Sequence, residues 1–107
     1  MALNEVQKEY HMTEVTLISP SDRPLQPLIE AALMNEVRLL EAGKRQIEQR
    51  LRDFEAQFDM VTADFVRRYA ADELEETLDT IEWLGEYRMA QTIQEKLDTL
   101  KGIRFAH

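Results

Sequence analysis

The 107 residues contain no cysteine, three glycines, three prolines and two histidines. Without cysteine there is no disulfide framework, no thiolate metal site and no cysteine nucleophile. Gly43, Gly85 and Gly102 are too scattered to form a phosphate-cradling loop. His11 and His107 stand at opposite ends of the chain, and no Glu-x-x-His pair offers ligands for a di-metal bundle. Ser19 and Ser21 have no base in their local sequence. Carboxylates are plentiful, but on solvated helix faces they lack the burial that retunes a catalytic pKa. Enzymatic activity is therefore not expected, and neither a metal nor a cofactor is implied.

Two further absences narrow the class. No apolar run approaches the roughly 20 residues that a membrane-spanning helix needs, and residues 1–5 lack the basic start of a secretory signal. A cytoplasmic location is the expectation. Basic side chains are outnumbered, 13 Lys and Arg against 21 Asp and Glu, for a net charge of −8. A duplex-binding surface needs the opposite balance, so direct nucleic-acid binding is not expected. Hydrophobic residues reach 44% and charged residues 32%, the mixture of a folded domain rather than a disordered chain.

Residues 1–12 show no clear period and read as a flexible arm preceding a single domain over 13–107. Residues 13–18 alternate and are β-branched, which predicts one short strand. No second strand pattern exists, so this one has to pair with another chain or remain an extended arm. A strand followed by helices is also how ribbon-helix-helix DNA readers begin. Neither Glu14, Thr16 and Ile18 on one face nor Val15 and Leu17 on the other supplies Arg or Lys for that task.

Pro24 and Pro27 belong in or near a first helical turn, and a proline-free helix is predicted from there to about Asp59. Leu33, Val37, Leu40, Ile47, Leu51, Phe54 and Phe58 alternate in steps of four and three, with Lys44 filling the one gap. That is a coiled-coil-like seam, which we expect to join two copies of the chain. Thr62 is the expected cap of a short helix carrying Phe65, Val66 and Tyr69. Asp72, with Glu75 in capping-box spacing, is the expected start of a second long helix ending at Gly102. Its apolar stripe is Leu74, Leu78, Ile81, Leu84, Met89, Ile93, Leu97 and Leu100.

The fold predicted is thus mainly α: an antiparallel hairpin of two long helices with a short helix between them, one N-terminal strand, and dimerisation into a bundle. Placing Phe58 level with Glu73 would bring Gly43 within a turn of Gly85, a close approach of the two rods, with Lys44 beside Glu82 or Glu86.

Two features stand out as binding surfaces. Residues 72–82 hold six carboxylates (Asp72, Glu73, Glu75, Glu76, Asp79 and Glu82) and no basic residue. Their mutual repulsion at helical spacing would be relieved by a cationic partner. Trp83 and Tyr87, four apart, form an aromatic face opposite Ile81. Either the short helix closes over it as a small satellite core, or Trp83 anchors an interface.

The pattern Phe58-x-Met60, Asp64-Phe65, Tyr69, Glu73-Leu74, Asp79 and Glu82-Trp83-Leu84-Gly85-Glu86-Tyr87 resembles small helical antitoxin-like proteins of bacteria and archaea, encoded beside small toxins. The likeness spans about residues 40–100. It lacks a DNA-binding head, so the resemblance does not extend to autoregulation of an operon. It implies a non-enzymatic interaction module that masks a small basic partner, with the acidic run in place of phosphates and Trp83 and Tyr87 as anchors. A coiled-coil scaffold subunit and an acidic nucleic-acid mimic are the other readings that the residues allow.

Overall fold

Pro27 lies in the first turn of a 33-residue helix, where its missing N–H costs nothing. A computed structural model describes residues 12–106 and contains three helices: α1 (Gln26–Phe58), α2 (Thr62–Ala70) and α3 (Leu78–Lys101). The first eleven residues, nearly all of the expected arm, lie outside the described residues, as does His107.

Both α1 and α2 stop at an aspartate in the left-handed region, Asp59 at φ 49° and Asp72 at φ 59°. In each stop an amide reaches back over the last turn, Met60 to the Glu55 carbonyl at 3.2 Å and Glu73 to the Arg68 carbonyl at 2.9 Å. Aspartate tolerates this conformation better than most residues other than glycine, and the geometry satisfies carbonyls left open at a helix end. Asp72 therefore ends α2 instead of starting α3, contrary to expectation. The cap of α3 is Thr77: its hydroxyl accepts from the Thr80 amide at 3.2 Å, and the Thr80 hydroxyl accepts from the Thr77 amide at 2.8 Å. Thr62 is likewise not a cap but the first residue of α2. Its amide is held by the Glu55 carboxylate at 2.7 Å, so the end of α1 caps the start of α2.

Residues 73–77 run non-helically between these stops, which shifts the hairpin register. Three pairs mark the level of the long helices: Gln57 with Asp79, Arg50 with Glu86, and Gly43 with Ile93. Gly85 consequently lies opposite residue 51, about 12 Å along the rods from Gly43 at 1.5 Å per residue. The two glycines do not mark a close approach. Nor does Lys44 meet Glu82 or Glu86, since Glu86 pairs with Arg50. A Cβ on Gly43 would stand 3.7 Å from Ile93 Cδ1 and one on Gly85 would meet nothing within 4 Å. Gly43→Ala and Gly85→Ala are each expected to raise stability, by about 0.5–1 kcal/mol from helix propensity alone. Chemical denaturation measures this, and a destabilised Gly85→Ala would contradict the open space at that site.

The core centres on Trp83, 1% exposed. Phe65 stacks on its indole at 3.9 Å and 3° between planes, while Phe54 and Phe58 stack at 5.6 and 5.4 Å. The indole N–H donates to the Thr62 hydroxyl at 3.1 Å, so its one polar atom is satisfied inside. Ile47 and Leu97 form a second buried point farther along the rods. The seven-residue seam of α1 thus turns into the hairpin at its corner half. Ile47 is buried, Phe54 and Phe58 pack on Trp83, and Leu33, Val37, Leu40 and Leu51 are half-buried.

The stripe expected along α3 holds in its second half and changes face near the start of the helix. Of its members Leu97 is buried and Leu74, Leu84, Ile93 and Leu100 are half-buried, but Leu78, Ile81 and Met89 are 79%, 49% and 48% exposed, and Thr80 and Trp83 point inward in their place. The indole offers more apolar area than either aliphatic side chain, and rotating it inward turns Leu78 and Ile81 out. Among the described residues there is no strand. Residues 13–18 have no second strand to pair with, and Val15 and Ile18 are 79% and 89% exposed. The dimension of 59 Å along the longest axis reflects α1, whose first nine residues run past the end of α3.

Candidate functional site

Where α1 and α3 approach the corner, they leave an open cleft of about 310 Å³ lined by Arg50, Asp53, Phe54, Gln57, Asp79, Glu82 and Glu86. The α3 helix contributes Asp79, Glu82 and Glu86, spaced by three and four and so on one face, and α1 contributes Asp53. Arg50 Nε donates to Glu86 Oε1 at 2.9 Å, and Gln57 donates to Asp79 at 3.0 Å. Gln49 donates to Asp53 at 3.0 Å. The second Glu86 oxygen is buried without a hydrogen-bond partner. Four carboxylates facing one guanidinium leave the cleft net negative.

Of the site residues expected from sequence, Asp79 and Glu82 line this cleft. Asp72, Glu73, Glu75 and Glu76 are exposed on the connector leading into α3, adjacent to the cleft through Thr77. Trp83 is sealed in the core and is not available as an anchor, because the short helix folds over it. Tyr87 is half-buried, its hydroxyl accepting from Gln91 at 2.7 Å. Arg50, Asp53, Gln57 and Glu86 were not legible as site residues. They join the cleft only in the true register, five residues from the one that a helix starting at Asp72 would impose. Exposed Leu78 and Ile81, three apart and flanked by Asp79 and Glu82, supply apolar surface next to the acids.

The connector is tethered by the Tyr69 hydroxyl, which donates to Glu76 at 2.8 Å. That bond, then partial desolvation and the negative charge of Glu76, hold the Tyr69 phenol above its ordinary value of 10.0, with Arg88 opposing. Because the folded value is raised, the tether is intact below the ordinary tyrosine range. It is lost as pH climbs through the raised value. Ultraviolet titration should show one phenol moving down toward its ordinary range in Glu76→Gln. An unchanged profile would mean that the tether does not form in solution.

Among the described residues no group of three His, Cys, Asp or Glu side chains is disposed to hold a metal ion, and no helix is long and apolar enough to cross a membrane. Fold and site together define a helical hairpin whose short middle helix is folded over a single tryptophan and whose corner carries an acidic cleft. No protein-family model, curated protein or solved structure matches the chain.

Proposed function

We propose that the protein is a non-enzymatic interaction module that masks a small basic protein, in an antitoxin-like role, through the acidic corner of its hairpin. The observation that carries this reading is the cleft itself: Asp53, Asp79, Glu82 and Glu86 converge from two helices against the single Arg50. An arginine or lysine of the partner entering there meets several carboxylates whose positions are already fixed, so little ordering is required on binding. Leu78 and Ile81 take the apolar role first assigned to Trp83, and the acids of the 72–76 connector extend the charged rim. The resemblance over residues 40–100 agrees with this reading, and it names the partner class: a small basic protein encoded beside this chain.

The test is co-expression with that neighbouring product. The basic protein alone should arrest growth, and the present chain should relieve the arrest and co-purify with it. A chain carrying Glu73→Lys, Glu75→Lys and Glu82→Lys, whose side chains are exposed and make no hydrogen bond within the described residues, should fold normally and give no relief. If the triple variant protects as well as the parent, the acidic corner is not the binding surface and the scaffold reading takes its place.

A further inference from the structure

The first seam of α1 packs into the hairpin at Ile47, Phe54 and Phe58, and the helix carries a second one. Leu25, Leu28, Ala32, Asn35, Leu39, Ala42 and Gln46 follow one another in steps of three and four, rotated roughly a third of a turn from the face that meets α3. Six of the seven are exposed and Leu25 is half-buried, with Leu28 and Leu39 at 63% and 61% exposure. Nothing among the described residues buries them. Among the described residues, four buried apolar side chains against twelve large exposed ones describe a core left incomplete by one hairpin.

The order of residues along this second seam identifies the occupant. We propose that it is the α1 helix of a second copy of this chain, packed antiparallel about a two-fold axis at Asn35. In that arrangement Leu28 faces Ala42 of the second copy and Ala32 faces its Leu39, while the reciprocal pairs repeat both contacts and Asn35 faces Asn35. Every apolar layer then combines one large and one small side chain, so the two rods keep an even separation and no layer is empty or overfilled. A parallel pair would set leucine on leucine and alanine on alanine, leaving gaps at Ala32 and Ala42. The central asparagines can bond to one another, a polar contact that fixes register at some cost in stability.

The hairpin geometry accommodates this pairing. The end of α3 is level with about residue 35, and Lys101 reaches back along α1 to Glu41 at 3.2 Å. Each α3 therefore stays on its own half of the α1 pair, and the two do not collide. The overhang of one copy, with half-buried Ile29 and Leu33, comes to lie beside the α3 end of the other. The acidic cleft sits toward the opposite end of α1, around residues 50–57, so failure of one surface leaves the other untouched.

The absence of cysteine makes the test direct. Light scattering on the full chain should give twice the monomer mass. Under mild oxidation Asn35→Cys should form a disulfide-linked dimer efficiently. Ala42→Cys should not, because an antiparallel pair separates the two positions by about 20 Å. Leu28→Glu with Leu39→Glu should weaken association by at least about 100-fold, since it places charges in a desolvated seam. A monomeric parent chain overturns the proposal. So does efficient cross-linking of Ala42→Cys, which would mean a parallel pair, or a folded double-glutamate variant that remains dimeric. Should the double variant lose helicity, the two cysteine variants still decide the matter.

Discussion

Trp83→Ala is expected to remove roughly 3–5 kcal/mol of stability, the range for deleting a large buried aromatic. Domains of this size hold only about 5–15 kcal/mol in total, so the variant should sit near the edge of unfolding, with a thermal midpoint lower by more than about 10 °C. The size of the effect follows from what the indole joins. Phe65 of α2 lies on its ring at 3.9 Å, and Phe54 and Phe58 of α1 stack at 5.6 and 5.4 Å. Its N–H is the bond to Thr62, whose amide is in turn held by Glu55. Removing one side chain therefore detaches α2 from both long helices and leaves the Thr62 hydroxyl without its donor.

Trp83→Phe separates the two contributions. It keeps an aromatic ring among the three phenylalanines and loses only the bond and part of the area, so its cost should be the smaller, about 1–3 kcal/mol. Urea denaturation with circular dichroism as the probe measures both variants. If Trp83→Ala unfolds within 1 kcal/mol of the parent chain, the aromatic stack is not the keystone of the corner. The parent chain should also emit at short wavelength, as a dry indole does, with no shift until the cooperative transition.

Periodicity and breakers were enough to read the helices themselves. The long proline-free run with its seven-residue seam, the stop after Phe58 and the end at Lys101 all appear where expected. The details that failed have a common origin in the connector. Asp72 followed by Glu75 has the spacing of a capping box, yet Thr77 and Thr80 have the same spacing and close the box in the structure. Asp72 is instead drawn into a left-handed stop for α2. Local patterns cannot rank two such candidates, because the choice depends on how far the chain must travel to lay Trp83 against Phe54 and Phe58. The resulting slip of five residues moved Gly43 away from Gly85, replaced Lys44 by Arg50 as the partner of Glu86, and hid the cleft. The turn of α3 that exposes Leu78 and Ile81 is likewise a tertiary outcome, decided by the area of one indole against two aliphatic side chains.

At the acidic corner the largest functional effect should come from Glu82→Lys, measured as affinity for the basic partner proposed above. Glu82 lines the cleft beside Asp79, faces solvent and makes no hydrogen bond or ion pair within the described residues. Its replacement should therefore leave the fold intact while placing a like charge against an incoming arginine or lysine. Disrupting a close charge pair at an interface costs about 2–5 kcal/mol, tens- to thousands-fold in affinity. Glu75→Lys, out on the connector, should act mainly on the association rate and lose its effect as salt is raised past the screening range. Leu78→Ala with Ile81→Ala should weaken binding at high and low salt alike, because apolar burial is not screened. This contrast distinguishes a docked interface from a diffuse attraction between an acidic and a basic protein. If all these variants lose affinity in proportion to net charge alone, and the losses vanish together in salt, the corner is a solvated face and the specific cleft plays no part.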